Sequence, residues 1–368
     1  PAVARSRGRI WMTAQVVYGL VALDSAVNVI PSIAKMLTFS PDGKTYTFTL
    51  RDDAFFHPHP AFGNDATRPA NAQDFLYSLT RICNPQTAST GFWVYNHKIE
   101  GLDAYRNQEA ETIRGFQALD DTTFQITLTQ PFPAFLSLLA MPYGYVVPQE
   151  VVDFYGEDFQ AHPIGTGPFK VFKWEESNYL ILHKKDHYLE KDNDQDLPYL
   201  YAVKVQFIPS RLSAFIEFVQ GNLDFIGDLD NSYKDEVLYA DGSVKPEMDT
   251  NYQVILNPQL NTEYLGFQTD PSFYKDKNHP LLDIRVRRAL NYAIDRDQII
   301  KYLLNGMGYP ANSGFVPNGM AGFDSEKVPG FSYQPDSARK LLAAASYPNG
   351  QGFPPLTLMA TQNYATIM

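Results

Sequence analysis

The chain of 368 residues contains a single cysteine, Cys83. A disulfide within the chain and a cysteine-based zinc site each need more than one thiol, so both are excluded. Uninterrupted apolar runs are also missing. The most apolar stretch, residues 135–147, is broken by Pro142 and Gly144 and falls short of the roughly eighteen residues that a membrane-spanning helix requires.

Positive charge is scarce: 30 lysines and arginines stand against 41 aspartates and glutamates, giving a net charge of -11. Nucleic-acid binding relies on a basic face, so no nucleic-acid partner is predicted. The sequence contains no Gly-x-x-x-x-Gly-Lys, His-Glu-x-x-His or Gly-x-Ser-x-Gly motif. In Gly165-Thr-Gly167 the third glycine of a dinucleotide loop is replaced by Lys170, and Pro168 disfavours a phosphate cradle. We therefore predict a protein that is not an enzyme and uses no cofactor.

Aromatic residues are plentiful, with 23 tyrosines and 25 phenylalanines, and 44% of the chain is hydrophobic. A chain of this size can bury a large core and is expected to form more than one domain. The aromatic rings either fill that core or line a wide groove that packs against varied ligands.

Residues 283–300 form the most informative run. Val286, Ala289 and Leu290 recur at helical spacing, Asp283 is placed as an N-cap, and Asp295 begins a second helix with a capping-box pattern. Asn305-Gly306 then supplies a stop signal. Nothing in this run is catalytic, so its value lies in identification.

This run resembles a segment of the bacterial extracellular solute-binding proteins of family 5, the receptors of ABC importers for oligopeptides, dipeptides and nickel complexes. Further segments resemble family motifs in the expected order: residues 40–57, 69–78, 165–171, 220–225, 313–317 and 333–342. The resemblance implies an α/β fold, namely the two-lobed periplasmic-binding-protein fold (type II, large three-domain variant), with mixed sheets flanked by helices. It places the first lobe at residues 1–30 and 163–262, a small extra domain at 31–162, and an incomplete second lobe at 263–368.

Periodicity alone predicts several elements. Residues 37–50 and 116–128 read as two strand-turn-strand units, with helices near residues 72–81 and 132–139. Residues 170–183 read as paired strands. A strand at 203–208, a helix and a strand at 223–226 read as a crossover, which implies a parallel sheet.

The resemblance implies capture of a short peptide between two lobes that close upon it, followed by delivery to an ABC permease in the cytoplasmic membrane. The family layout assigns these candidate ligand-binding residues: Trp11, Met12, Trp93, Tyr95, Asn261, Thr262, Glu263, Tyr264 and Phe315. Burial in the core is the competing interpretation for each aromatic residue, and a surface or hinge ion pair is the competing interpretation for Glu263.

Alternatives stay open. His57 and His59 share a face if they lie on a strand and would then reach one metal, whereas a structural pair in a loop is the plainer interpretation; no metal is predicted. A receptor for a nickel complex or another small solute uses the same scaffold. Adjacent carboxylates at 52–53, 120–121 and 175–176 would be needed for a glycoside hydrolase, but their turn-like contexts indicate solvated turns. A peptide hydrolase would likewise need a catalytic constellation that the sequence does not display.

The chain begins with Pro1, and its final stretch, residues 356–364, resembles the beginning of an inner unit of the second lobe. We therefore expect a member truncated at its C-terminus. The aspartate with which peptide receptors of the family hold the ligand's amine lies in a Gly-Trp-x-x-Asp-like segment that this sequence does not contain. The resemblance further implies a monomer that is periplasmic or anchored outside the cytoplasm as a lipoprotein.

Overall fold

The structure is a computed structural model that describes residues 2, 7–186, 188–257, 259–320 and 322–359. The chain divides into two compact units, Pro1–Phe207 and Ile208–Met368. The lobe boundaries inferred from the resemblance stay a prediction. The last residues of the 356–364 stretch lie outside the described residues.

The first unit contains short helices and antiparallel strands. Its elements, in chain order, are α1 (Arg7–Val16), β1 (Val21–Leu23), β2 (Val29–Pro31), β3 (Ala34–Phe39), β4 (Thr45–Leu50), α2 (Ala72–Cys83), α3 (Leu102–Arg106), β5 (Phe116–Ala118), β6 (Thr123–Thr127), α4 (Phe135–Leu139), α5 (Gln149–Tyr155), β7 (Phe169–Glu175), β8 (Tyr179–Lys184), β9 (Lys191–Asp192), β10 (Gln195–Asp196) and β11 (Ala202–Gln206).

The two predicted strand-turn-strand units are confirmed, and together they form one antiparallel sheet in the order β3-β4-β6-β5. Gly43 closes the first turn at φ 68°, a conformation that glycine adopts without steric cost. Phe48 on β4 lies opposite Phe124 on β6, and both are fully buried. Because side chains alternate across a strand, the other face carries threonines and glutamines, as at Thr47 and Gln125.

Helix α2 covers the buried face of this sheet. Asn71 and Asp74 form a reciprocal capping box at its start, and Phe75 packs its ring 5.9 Å from that of Phe124. The Arg68 guanidinium fixes this corner, since it donates paired hydrogen bonds to both Asp74 and Glu150 at 2.7–2.8 Å. The predicted helix at 72–81 is thus confirmed and extends to Cys83.

A second sheet has the order β11-β8-β7 and is antiparallel throughout. Leu180 and Leu182 of β8 are buried and pack with Val16, Val17 and Phe169 in a separate core cluster. A register shift between Val171 and Lys173 marks a β-bulge in β7. The predicted pairing of residues 170–183 is therefore confirmed.

The regular secondary structure described in the second unit consists of helices. Its elements are α6 (Arg211–Val219), α7 (Lys234–Val237), α8 (Pro246–Asn251), α9 (Ile284–Ala293), α10 (Arg296–Gln298), a π-helical turn (Ile299–Leu303) and α11 (Pro335–Ala344). Val286 and Ala289 of α9 are buried, and α9 packs against α11, where Ala338 is buried.

The predicted crossover is wrong in its second half. Helix α6 forms, but residues 223–226 form no strand, and Phe225 is 73% exposed. A strand needs a neighbour that satisfies its backbone groups, and within the described ranges no strand pairs with these residues. Among the described residues β11 pairs with β8, in antiparallel fashion, so the parallel sheet predicted from this segment is not observed there.

Candidate functional site

Helix α1 carries the first two predicted ligand-binding residues. Trp11 is 51% exposed, whereas Met12 is half-buried and packs against the cluster that includes Val16, Val17 and Phe169. The two neighbouring side chains therefore differ in exposure: the Trp11 ring is accessible to solvent, whereas Met12 packs the helix against the core.

The Gly165-Thr-Gly167 segment holds the end of α1 in place. A Cβ at Gly165 would lie 2.3 Å from the Val16 carbonyl oxygen, and one at Gly167 would lie 2.7 Å from that of Gln15. Only glycine permits this approach, and it lets the Gly167 N–H donate to Val16 O at 2.9 Å. The glycines thus serve close backbone packing, which explains a motif that lacks the pattern of a phosphate loop.

His57 binds the same glycine segment through three hydrogen bonds. Its backbone N–H donates to Gly165 O at 2.8 Å, its Nδ1 accepts from the Gly165 N–H at 3.3 Å, and its Nε2 donates to Gly167 O at 2.9 Å. This arrangement requires the neutral ring protonated at Nε2. Burial lowers the pKa of His57 to about 3, and the positive charges of Lys185 and Lys170 act in the same direction.

Lys185 also connects the loop at residues 55–57 with the glycine segment. Its Nζ donates to the carbonyl oxygens of Phe55 and Thr166, and its side chain is almost fully buried. Burial lowers the pKa of Lys185 to about 8, with the Asp53 carboxylate acting in the opposite direction. The lysine therefore joins the 55–57 loop to the glycine segment through backbone carbonyls.

The pair His57 and His59 is engaged inside the protein. His59 accepts from the Ala61 N–H through Nδ1 at 3.1 Å, and its Nε2 lies 3.0 Å from the Tyr155 hydroxyl. Together with the His57 bonds, these contacts occupy the ring nitrogens with structural partners. Across the described ranges, no group of three or more His, Cys, Asp or Glu side chains is arranged to hold a metal ion.

Trp93 and Tyr95 separate in the structure. Trp93 lies in a 3₁₀ turn, Phe92–Val94, with half of its surface exposed. Tyr95 is completely buried, with its hydroxyl donating to Tyr143 O at 2.9 Å and its ring 5.9 Å from that of Phe116. We do not retain Tyr95 as a ligand-binding candidate, because its side chain fills the core of the first unit.

Two predicted residues distant in sequence meet in the second unit. The rings of Tyr264 and Phe315 form an edge-to-face pair with centroids 4.7 Å apart, and they are 66% and 63% exposed. Asn261 Nδ2 donates to Glu263 Oε1 at 2.8 Å, which gives Glu263 a neighbour within the same segment. Thr262 is half-buried. The segment thus presents an open aromatic pair beside a solvated carboxylate.

The 283–300 run is structural, as its residue types predicted. Asp283 caps α9 by accepting from the Arg285 N–H at 2.8 Å, and Asp295 caps α10 by accepting from the Gln298 N–H at 3.0 Å. The arginines then bind carbonyl oxygens, with Arg285 donating to Ala344 O at 2.6 Å. These bonds tie α9 to the end of α11. The second predicted helix continues from α10 as the π-helical turn.

The adjacent carboxylates lie in turns, as the sequence indicated. Asp120 accepts from the Thr122 N–H, and Glu175 accepts from Asn178 Nδ2, each at 2.7 Å. Asp53 pairs with Arg51. Each of these three carboxylates is thus engaged within its own turn or by a sequence neighbour.

Sequence reasoning missed a group of ring contacts at the edge of the β11-β8-β7 sheet. Phe172, displaced by the bulge in β7, stacks on His183 with centroids 4.0 Å apart, and Tyr201 lies 5.3 Å from the same imidazole. The sequence does not reveal the bulge in β7, and without it the strict alternation of side chains along a strand cannot predict on which face Phe172 lies.

None of the described helices is both long enough and apolar enough to cross a membrane. The chain belongs to the bacterial extracellular solute-binding proteins, family 5 Middle, whose family model matches residues 28–367.

Several proteins similar to this chain are also binding proteins. The glutathione-binding protein GsiB of Salmonella typhi is 29% identical over 348 residues, covering 95% of this chain and 58% of the relative. The murein tripeptide binding protein MppA of Escherichia coli superimposes with a TM-score of 0.74 at 26% identity, covering 94% of this chain and 64% of MppA. AgaA of A.tumefacien R10, in complex with agropinic acid, gives a TM-score of 0.65 at 26% identity over 94% of this chain and 63% of AgaA.

The predicted fold class is confirmed by the family model and by these structures. The chain spans somewhat less than two thirds of the length of the relatives it matches.

Proposed function

We propose that this chain forms the substrate receptor of an ABC importer and binds short peptides. The observation that carries the proposal is the identity of its relatives: GsiB binds glutathione, which is a tripeptide, and MppA binds a murein tripeptide. The role is noncovalent capture, so the protein is not an enzyme. We infer a location outside the cytoplasm, in the periplasm or as an anchored lipoprotein, from the family's extracellular members, and we infer a monomer.

The proposed ligand-binding residues are the predicted ones whose side chains are exposed. In the first unit these are Trp11 and Trp93, each about half exposed. In the second unit they are Tyr264 and Phe315, with Asn261 and Glu263 adding polar groups. Large rings with few rotatable bonds contact varied side chains at low entropic cost. The peptide backbone, which is the same in every peptide, pairs with protein backbone groups. Such contacts suit a receptor with broad peptide specificity, and the family's closure upon the ligand would retain it.

Native mass spectrometry of the purified protein, followed by denaturing release, tests the ligand class. Release of short peptides supports the proposal. A single non-peptide mass or a metal-containing mass would contradict the peptide assignment while leaving family membership intact.

The tryptophans test the proposed ligand-binding residues. Trp11→Ala and Trp93→Ala are each expected to lower the affinity for a released peptide about tenfold, as loss of an aromatic contact does in other interfaces, with little change in melting temperature. The third tryptophan, Trp174, is the matched control, since it is 37% exposed and is not among the proposed ligand-binding residues. Calorimetric titration measures affinity. Unchanged affinity with a large loss of stability would show that Trp11 and Trp93 are core residues.

A second candidate is a receptor for a small acidic solute, and AgaA favours it because that relative holds agropinic acid. The released mass distinguishes the two candidates. A nickel-complex receptor would release metal in the same experiment.

A further inference from the structure

Three asparagines of this chain are followed directly by glycine: Asn305, Asn318 and Asn349. An Asn-Gly pair can lose its side-chain amide without an enzyme, because glycine has no Cβ to hinder attack by its main-chain nitrogen on the asparagine carboxamide. That reaction needs a side chain that is free to turn towards this nitrogen and a glycine N–H that no acceptor holds. The three pairs differ in both respects.

The Asn305-Gly306 pair is restrained by three hydrogen bonds. The Asn305 side chain is buried, with Oδ1 accepting from Lys234 Nζ at 2.9 Å and Nδ2 donating to Asp235 Oδ1 at 2.7 Å. The Gly306 N–H donates to Ile300 O at 2.9 Å. Each such bond favours the restrained arrangement about fivefold, so the three together lower the reactive population about a hundredfold.

The Asn349-Gly350 pair is intermediate. The Gly350 N–H donates to Tyr347 O at 3.1 Å. This one bond occupies the nitrogen that would attack, and it lowers the reactive population about fivefold.

The Asn318-Gly319 pair forms the centre of a turn. Met320 donates its N–H to Pro317 O at 3.3 Å, and Gly319 has φ 96°, a conformation that glycine adopts without steric cost. The bond that closes such a turn uses the N–H of neither central residue. Among the residues that the structure describes, neither the Asn318 carboxamide nor the Gly319 N–H has a hydrogen-bond partner. Both requirements of the reaction are therefore met.

We propose that Asn318 is a site of spontaneous deamidation in this chain. The Gly319 nitrogen gives up its proton and attacks Cγ of Asn318, while the bond from Cγ to Nδ2 breaks and ammonia leaves with that proton. One water molecule then opens the five-membered imide at either of its carbonyls, which leaves aspartate or isoaspartate at position 318. Water is the only other reactant.

The site adjoins the aromatic pair of the second unit. The Tyr264 and Phe315 rings have centroids 4.7 Å apart, and Leu260 Cδ2 lies 3.5 Å from where a Cβ on Gly319 would stand. The loop that carries the site thus contacts the segment of candidate ligand-binding residues at two points. Deamidation adds a negative charge to this loop, and isoaspartate also lengthens the main chain by a methylene group. An effect on ligand binding rests on the proposed function, whereas the modification itself does not.

Peptide mapping by tandem mass spectrometry tests the assignment. The purified chain is incubated at mildly alkaline pH and then digested at mildly acidic pH, which slows further reaction. Asn305 and Asn318 share one tryptic peptide, bounded by Lys301 and Lys327, so fragment ions compare them under identical handling. We expect the mass increase of deamidation to accumulate about a hundredfold faster at position 318 than at 305, and about fivefold faster than at 349. No ligand enters this measurement, so its outcome is independent of the proposed function.

The matched control is the chain denatured in guanidinium chloride, in which the three Asn-Gly pairs should react at similar rates. Lys234→Gln removes one bond to Asn305 and should raise the rate at position 305 about fivefold with that at 318 unchanged, in a variant that circular dichroism shows to be folded. Asn318→Gln should abolish the signal at 318, because glutamine closes its larger ring far more slowly. Equal rates at 305 and 318 in the native chain, or a rate at 318 no faster than at 349, overturns the proposal.

Discussion

Acidification should destabilise this protein through one buried histidine. His57 is fully enclosed, and its neutral ring makes hydrogen bonds to Gly165 and Gly167 that the protonated ring cannot all keep. Its pKa is lowered from the ordinary 6.5 to about 3, with burial as the main cause. The unfolded chain therefore binds a proton at mildly acidic pH that the folded chain excludes.

The size of the effect follows from this shift in pKa. The contribution of His57 to the free energy of unfolding is complete above pH 6.5 and falls as the pH decreases towards 3. The slope approaches about 1.4 kcal/mol per pH unit, and the full loss is on the order of 5 kcal/mol. Replacement by His57→Gln should also cost about 2 kcal/mol at neutral pH, because a buried backbone donor or acceptor loses its partner.

Urea titrations monitored by tryptophan fluorescence, at a series of pH values between neutral and mildly acidic, measure both effects. His57→Gln should show a shallower dependence of the unfolding free energy on pH than the unmodified chain. His97→Gln is the control, since the His97 side chain is 75% exposed and pairs with Asp103 at the surface. Parallel pH profiles for the unmodified chain and His57→Gln would refute the role of the buried ring.

Three further perturbations follow from the first unit. Arg68→Ala should cost about 3 kcal/mol in urea denaturation, because it leaves the buried Asp74 carboxylate without its cation; a loss below 1 kcal/mol would mean that solvent replaces the guanidinium. Gly165→Ala should cost about 3 kcal/mol, since its Cβ would overlap the Val16 carbonyl, and an unchanged melting temperature would contradict the close packing. Cys83 should resist thiol reagents at mildly alkaline pH and react fully in denaturant, because burial raises its pKa to about 12; labelling of the native protein would count against that burial.

Turns and helix caps could be predicted from the sequence. The turn that ends at Gly43 and the helix caps Asp283 and Asp295 each lie where the neighbouring residues predicted them. Such elements depend on hydrogen bonds between residues a few positions apart, so their residue types are sufficient for prediction.

Nonlocal features could not be predicted in this way. The strand expected at 223–226 has suitable residues, but strand formation depends on a partner, and periodicity does not identify one. The meeting of Tyr264 with Phe315 joins positions 51 residues apart. Tyr95 and Trp93 are both aromatic, yet Tyr95 is buried and Trp93 is exposed, because side chains two positions apart along a 3₁₀ turn point in different directions.

The order of the four-stranded sheet has a consequence for how the chain acquires its structure. Each hairpin is local, but the central pairing of β4 with β6 joins residues about 80 positions apart, as Thr45 with Thr127. During synthesis the first hairpin is made before the second. Until β6 is available, Phe48 and Leu50 are exposed to solvent and the edge of β4 that pairs with β6 has no partner. An unpaired strand edge favours aggregation, so a holding chaperone that protects the nascent chain would be expected to shield residues 45–50 until residue 127 has emerged.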